Sequence, residues 1–333
     1  MSDYAALKIT DFDHIEFAVP DIEEAKDVYL RMGFESAGTG IIRSRQLSRE
    51  LMRQGNIKIL LSQSDAQDDP VAKFVAAHGA GVINVAFLCE DAVSALETVM
   101  SRGAEVTETP KAYSRDFGEV QQASIQGLGD VQFSFVSRKG DLFGEGFEQP
   151  LKKSSAPLNL TRIDHISFAL ESGEHSQSEE RCLALFGLTS VPVSSPPHST
   201  LSLTLLRSPD GVAKITLQEP GPDAPEVQNF LEINHGTGVH RIGLLSGHLI
   251  STLEKLKKEG LTLWRIPEGK FTRDSTFVIE EDLKTLQSAG IFVDGDENGY
   301  LLESRTEPVV GPLAFGFIQR KGFDGLSRVD THP

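Results

Sequence analysis

The chain has 333 residues, 39% of them hydrophobic, and a formal net charge of −16 at pH 7. This length suits about two domains, and the sequence has no apolar run near the ~20 residues that a membrane helix needs. The negative charge argues against nucleic acid as a partner, since the densest basic group, Lys255, Lys257 and Lys258, is typical of the solvated face of a helix.

The cysteines and the N-terminal sequence bear on where the protein works. Cys89 and Cys182 form no CxxC pair and are too few for a disulfide scaffold. The first residues lack the basic start and apolar core of a signal peptide. We therefore expect a cytoplasmic protein with no membrane partner.

The first predicted unit is a strand, a helix and further strands. Residues 8–19 are rich in apolar and β-branched side chains, Asp21 is a helix-capping residue, and Gly33 follows an amphipathic helical segment. Strand-like segments then continue to residue 62. The same order of strand, helix and closing strand is predicted three more times. The second unit has these elements at residues 81–87, 90–104 and 131–136, and the third has a strand at 162–168, a helix ending near 188 and a closing strand at 214–217. The fourth has them at 239–244, 249–260 and 315–318.

Four βαβββ-like units in two pairs indicate an internal duplication. The dipeptide Asp13-His14 in the first pair recurs as Asp164-His165 in the second. A polar segment with prolines at both ends, residues 148–158, predicts a linker between a domain at 1–147 and a domain at 159–333. Since paired βαβββ units can curve around a cavity, we predict an α+β fold of two half-open β-barrels.

The closing strand of the last unit has the most specific sequence. Residues 311–322 read GPLAFGFIQRKG. Other distinctive segments come earlier in the chain: Asp164-His165 and residues 217–220, 230–232, 236–239 and 290–296. In order and spacing these segments resemble the 4-hydroxyphenylpyruvate dioxygenases, within the vicinal oxygen chelate superfamily of glyoxalases, bleomycin-resistance proteins and extradiol dioxygenases. The resemblance covers nearly the whole chain. It implies two vicinal-oxygen-chelate domains, with a structural N-terminal domain and the ligand pocket in the C-terminal one.

In the family, two histidines and a glutamate hold the catalytic Fe(II) and leave open positions for a 2-oxo acid and O₂. The first histidine position carries over to His165, the second falls on Arg241 and the glutamate falls on Gly316. Arginine stays protonated and has no lone pair for a metal, and glycine has no side chain. The resemblance therefore predicts that the usual triad is not intact, and we expect no cofactor unless other side chains replace the missing ligands.

Several substrate-contact positions of the family also differ here. They fall on Gln218, Glu303 and Arg305, and together with Arg241 these residues are the candidate ligand-binding set. A guanidinium is suited to hold a carboxylate because it presents a planar fork of donors. The alternative for Arg241 and Arg305 is surface charge or an internal salt bridge with Glu303. For His165 the alternative is a hydrogen-bonded core histidine.

A rebuilt metal site is a further alternative. A one-residue bulge before Arg241 would turn His240 inward, and Glu303 would supply a carboxylate, so that His165, His240 and Glu303 would form the ligand set. Glu303 is also a candidate general base if it is desolvated.

Three functions follow from these alternatives. The first is a protein that binds a small anionic or aromatic oxo-acid-like ligand, with lost or altered activity. The second is an active non-haem Fe(II) dioxygenase with rearranged ligands, and the third is a non-catalytic interaction scaffold. The sequence leaves the oligomeric state open, with a homo-oligomer as one alternative.

Overall fold

The computed structural model describes residues 4–193, 200–264 and 278–327. Over these ranges the chain forms sixteen strands and seven α-helices. The first half contains β1 (Ile9–Ala18), α1 (Ile22–Arg31), β2 (Glu35–Ile42), β3 (Leu47–Gln54), β4 (Ile57–Ser64), α2 (Pro70–His78), β5 (Gly81–Cys89), α3 (Ala92–Ser101), β6 (Val106–Arg115), β7 (Gly118–Gln126) and β8 (Gln132–Gly140). Among these residues and those of the second half, no helix is long and apolar enough to cross a membrane.

The second half repeats this order. It contains β9 (Leu160–Ala169), α4 (His175–Phe186), β10 (Thr189–Pro192), β11 (Ser202–Arg207), β12 (Lys214–Glu219), α5 (Pro225–Asn234), β13 (Gly238–Ser246), α6 (Leu249–Lys258), α7 (Leu283–Ala289), β14 (Phe292–Asp296), β15 (Gly299–Arg305) and β16 (Ala314–Lys321). Helices α2 and α5 connect the two units of each half. The four predicted βαβββ units are therefore confirmed.

Each half forms one eight-stranded sheet with the same topology. The strand orders are β2-β3-β4-β1-β5-β8-β7-β6 and β10-β11-β12-β9-β13-β16-β15-β14. In each sheet the first strands of the two units are antiparallel neighbours, β1 with β5 and β9 with β13. In the first sheet the pairs β1/β4 and β5/β8 are parallel. The predicted α+β fold with two half-open barrels is confirmed.

Local sequence explains why the first helix begins where it does. The Asp21 side chain accepts hydrogen bonds from the backbone N–H groups of Glu23 and Glu24, which have no partner inside the helix. Ile22, Ala25 and Tyr29 are buried, at a spacing that places them on one face of α1. This face packs on the sheet.

A shared aromatic core joins the two sheets. The ring of Phe186 at the end of α4 lies 5.3 Å from Phe87 and 5.4 Å from Phe133, both in the first sheet. Phe133 in turn lies 5.9 Å from Phe168 on β9. Such edge-to-face and tilted contacts bury large apolar areas, so the two halves have one continuous hydrophobic core.

The predicted linker lies along the first sheet. The backbone N–H of Leu151 donates to the Asp141 carbonyl, and that of Lys152 donates to the Ala37 carbonyl. The predicted domain bounds, 1–147 and 159–333, stay a prediction. Residues 194–199, 265–277 and 328–333 of the second predicted domain lie outside the described residues.

Replacing Phe186 by Ala is expected to lower the free energy of unfolding by about 3–5 kcal/mol, because it removes a ring buried between the two sheets. Urea unfolding followed by circular dichroism measures this loss. Leu30→Ala is the control, since Leu30 is 47% exposed and its loss should change stability by about 0.5 kcal/mol or less. Equal losses in both variants would contradict a shared core at Phe186.

Candidate functional site

His165 lies on β9 and is held by a buried ion pair. Its Nδ1 is 2.9 Å from Asp164 Oδ2, and the Arg320 guanidinium contacts both Asp164 oxygens at 2.7 Å. Burial opposes ionisation of Asp164, but the bonds from Arg320 and His165 hold its pKa well below the usual value. Asp164 therefore stays ionised and fixes the orientation of the imidazole.

The backbone of Gly243 makes room for the imidazole. A Cβ placed on Gly243 would lie 2.5 Å from His165 Cε1, closer than real carbon contacts allow. Gly243 pairs with His165 on one side and with Gly316 on the other. The three residues thus form one row across β9, β13 and β16.

Arg241 and Glu303 fill the space beside Gly316, onto which the resemblance carries the family's glutamate. A Cβ on Gly316 would lie 3.5 Å from Glu303 Oε1 and 3.8 Å from Arg241 Cδ. Arg241 Nη1 lies 4.0 Å from Glu303 Oε1, and both side chains are buried. The internal salt bridge predicted as an alternative for Arg241 is confirmed.

Arg305 is also buried, so the expectation of surface charge is wrong for both arginines. Its Nη2 donates to Glu226 Oε1 at 2.8 Å, and its guanidinium lies 4.1 Å from the centre of the Trp264 ring. Trp264 stacks on Phe292, with ring centroids 5.4 Å apart. Glu226 is thus an acidic residue that Arg305 contacts at hydrogen-bonding distance.

The predicted irregularity at His240 is present. On β13, Val239 pairs with Phe168 and Arg241 pairs with the adjacent Ser167, so that His240 is the extra residue of a bulge. His240 and Arg241 consequently line the same cavity although they are consecutive. Burial and the positive charges of Arg241 and Arg305 hold the pKa of His240 well below its usual value. His240 is therefore neutral at pH 7.

These side chains do not fit the iron that the family implies. Among the described residues, no group of three His, Cys, Asp or Glu side chains is arranged to hold a metal ion. The replacement set of His165, His240 and Glu303 is therefore not assembled, even though all three are described. Arg241 and Gly316, onto which the resemblance carries the other two ligand positions, have no side-chain atom that can coordinate a metal.

Buried polar atoms line the β9 and β12 side of the barrel. Ser167 pairs with Thr216 across the two strands, and Gln218 lies two residues further along β12. Within the described part of the chain, five buried atoms there have no hydrogen-bond partner: His165 Nε2, Ser167 Oγ, Thr216 Oγ1, Gln218 Oε1 and Gln218 Nε2. Buried polar groups in native proteins are nearly always paired, so this surface is suited to a small polar molecule.

A cavity of about 290 Å³ lies on the β13 side of the barrel, and one of its walls is Arg241, the β13 residue that pairs with Ser167. Its walls include His240, Arg241 and Arg305, with Phe230 from α5 and Trp264 as aromatic surfaces. It thus combines apolar walls with a few polar groups, as small-molecule sites do.

The structure brings all the predicted candidates into one barrel: His165, Gln218, His240, Arg241, Glu303 and Arg305. Sequence reasoning missed Ser167, Thr216, Glu226 and Trp264. Side-chain alternation was the available signal for two of them, because Ser167 is two residues after His165 and Thr216 is two before Gln218. Glu226 and Trp264 come from other segments of the chain, and no local pattern connects them to the site.

Comparisons with known proteins agree with this architecture. The family described as "Hydroxyphenylpyruvate dioxygenase, HPPD, N-terminal" matches residues 5–148. A 4-hydroxyphenylpyruvate dioxygenase of Danio rerio is 29% identical over 96% of this chain and 87% of its own length. The corresponding protein of Pseudomonas aeruginosa is 27% identical, covering 95% of this chain and 89% of its own length.

Solved structures share the fold. A mutant of 4-hydroxymandelate synthase from Streptomyces coelicolor superposes with a TM-score of 0.84 at 24% identity, over 97% of this chain and 96% of that one. The Mn(II)-bound glyoxalase from Novosphingobium aromaticivorans has a TM-score of 0.52 at 11% identity, over 94% and 82% of the two chains. These likenesses show the two-barrel fold.

His240 should make the protein sensitive to mild acid. Its pKa is about 6.5 in the unfolded chain and well below that in the folded one, so below pH 6.5 the unfolded state binds a proton that the folded state does not. Stability should then fall by up to about 1.4 kcal/mol per pH unit until the folded pKa is reached. In His240→Asn this part of the pH dependence should disappear, as urea unfolding between pH 7.5 and pH 5 would show.

His235→Asn is the matched control. His235 is exposed and has a φ of 55°, a conformation that Asn tolerates well. This variant should keep the acid sensitivity of the parent protein. Identical pH profiles for the parent and His240→Asn would show that His240 accepts a proton freely in the folded state.

Proposed function

The chain belongs to the vicinal oxygen chelate superfamily as a 4-hydroxyphenylpyruvate dioxygenase-like protein, and from this premise we propose that its C-terminal barrel binds a small organic acid without the family's iron site. The ligand is an anionic, aromatic or 2-oxo-acid-like molecule. The activity of the relatives is lost or altered in this chain. The N-terminal barrel supports the C-terminal one through the shared core.

The five buried polar atoms without partners carry this proposal. An unpaired buried polar group costs about 1–3 kcal/mol, so several of them on one surface favour a bound molecule that pairs with them. His165 Nδ1 faces an acceptor, Asp164 Oδ2, so Nδ1 carries a hydrogen, and Nε2 is the buried ring nitrogen that a ligand can pair with. The Gln218 amide and the hydroxyls of Ser167 and Thr216 supply donors for the oxygen atoms of an acid.

The charge arrangement supports a carboxylate. Arg241 passes over Gly316, so a permanent positive charge lies close to the place that the family gives to a metal cation. The guanidinium cannot coordinate as a Lewis acid, but it can bind a carboxylate through paired N–H donors. A ligand carboxylate here competes with Glu303, and at Arg305 it competes with Glu226.

Aromatic side chains at the same cavity suit a ring. Phe230 and Trp264 line its walls, and both also contact polar site residues: Phe230 lies 5.8 Å from the His240 ring, and Trp264 stacks on Arg305. An aromatic acid would place its ring between these surfaces and its carboxylate at the arginines. The names of the relatives, which denote 4-hydroxyphenylpyruvate dioxygenases, suggest 4-hydroxyphenylpyruvate as the first probe.

The binding test uses the single tryptophan of the chain as a reporter. 4-Hydroxyphenylpyruvate should raise the melting temperature in the presence of EDTA and quench Trp264 fluorescence. 4-Methylphenol, which has the ring but no charge, should bind about tenfold or more weakly because it cannot pair with a guanidinium.

The matched variant for this test is Arg241→Met combined with Glu303→Gln, which removes both charges of the pair and leaves neither buried charge alone. Binding should be lost while the circular dichroism spectrum is kept. Arg115→Gln, at an exposed arginine of the first sheet, should bind as the parent does. Unchanged affinity in the double variant would overturn the role given to Arg241. No stabilisation by any carboxylate would leave the barrel as an interaction scaffold.

The metal test separates this function from an active dioxygenase. After anaerobic Fe(II) loading and desalting, the protein should retain far less than one iron per chain and should not consume O₂ with 4-hydroxyphenylpyruvate, because the family's second and third ligand positions are Arg241 and Gly316. Elemental analysis and an oxygen electrode measure both quantities. Stoichiometric iron that is lost in His165→Ala, together with O₂ uptake, would refute the proposal.

A further inference from the structure

We propose that the N-terminal barrel contains a second ligand site, which binds a small zwitterion bearing one ammonium and one carboxylate group, such as a free amino acid. This site is separate from the C-terminal pocket. It lies in a cavity of about 230 Å³ between the walls of the first sheet.

The cavity occupies the place in the first barrel that the candidate site occupies in the second. His14 pairs with Ala86 as His165 pairs with Gly243. Further along the same strands, Glu16 pairs with Asn84 where the second barrel has Ser167 with Arg241. The duplication has thus produced two cavities on equivalent strands, with different side chains in each.

A buried ion pair forms one wall of the cavity. Glu16 accepts a hydrogen bond from Ser62 Oγ at 2.6 Å, and Arg49 Nη2 lies 3.3 Å from Glu16 Oε1. Burial opposes ionisation, but Arg49 and Ser62 lower the pKa of Glu16, so both partners are charged at pH 7. The Arg49 Nε is buried and has no hydrogen-bond partner among the described residues. It is a donor suited to a carboxylate oxygen.

The opposite wall is acidic. Glu108 and Tyr113 lie on β6, at the far edge of the sheet from β3, which carries Arg49. Because the sheet is curled, β3 and β6 both contribute side chains to the walls of the cavity. The Tyr113 hydroxyl donates to Glu145 Oε2 at 3.1 Å, and burial together with Glu145 and Glu108 raises the pKa of Tyr113. Glu108 already pairs with Lys111, so Glu145, with the Tyr113 hydroxyl beside it, is the carboxylate on this wall that is suited to an ammonium group.

Apolar side chains complete the cavity between the two charged walls. Leu60, Val71, Ile83 and Phe143 all line it. A molecule with opposite charges and a short apolar body therefore matches the site at three places. A simple anion would meet Glu145, and a simple cation would meet Arg49, so each would leave one wall unmatched.

The test compares three sets of ligands. The first is the common L-amino acids, the second is the carboxylic acid that each becomes without its amino group, and the third is the amine that each becomes without its carboxylate. At least one amino acid should raise the melting temperature, and its acid and amine counterparts should bind about tenfold or more weakly. Trp264 fluorescence should stay unchanged, because the tryptophan lies in the other barrel. Failure of the whole amino-acid set to bind would refute the proposal.

Variants locate the site. Glu145→Gln keeps the shape of the side chain and removes a charge from the acidic wall, so amino-acid affinity should fall by about tenfold or more. Glu148→Gln removes the same charge from an exposed residue that pairs with Arg115 outside the cavity, and it should leave affinity unchanged. Equal losses in both variants would indicate a general charge effect and would overturn the assignment.

The C-terminal pocket provides the last control. The double variant Arg241→Met with Glu303→Gln should bind the amino acid as the parent does, whether or not the C-terminal pocket binds an organic acid. Loss of amino-acid binding in that variant, or a parallel change in Trp264 fluorescence, would place the amino acid in the C-terminal barrel instead and would refute a second site.

Discussion

A buried aspartate held by an arginine from the closing strand is the interaction on which each barrel depends. In the second barrel Asp164 on β9 binds Arg320 on β16, and in the first barrel Asp13 on β1 binds Arg138 on β8. Each pair ties the first strand of a half to its last strand, and removing one partner of such a pair leaves a buried charge at a cost of about 3–5 kcal/mol. A lysine, Lys58, adds a third charge in the first barrel at 3.6 Å from Asp13.

The same aspartates orient a histidine in both barrels. His14 Nδ1 lies 2.7 Å from Asp13, and His165 Nδ1 lies 2.9 Å from Asp164. An oriented histidine at the barrel centre is therefore part of the duplicated framework and does not by itself indicate a metal. What distinguishes the two barrels is the set of side chains on the neighbouring strands: Asn84 and Ser134 in the first, and Arg241 and Gly316 in the second.

In the second barrel, large side chains fill the space that two glycines leave. Gly316 leaves space next to β13, and Arg241 with Glu303 fills it. Gly243 leaves the space that His165 occupies. Arg241 places a positive charge there, on a group that can donate hydrogen bonds and cannot coordinate a metal. With Asp164 and Arg320 as its framework, this arrangement is suited to hydrogen bonding.

The sequence by itself determined the architecture and much of the site. Strand and helix periodicity, the cap at Asp21 and the repeated Asp-His dipeptide were sufficient for four βαβββ units. A bulge that turns His240 inward was one alternative from the sequence, and the structure contains it. Only the tertiary structure decided which charges pair, because Arg305 binds Glu226 from α5 and stacks on Trp264, contacts between segments with no common sequence pattern. It also brought side chains of β3 and β6 to the walls of one cavity in the first barrel. Local patterns specify which face of a strand a side chain occupies, whereas the curvature of the whole sheet decides which faces meet.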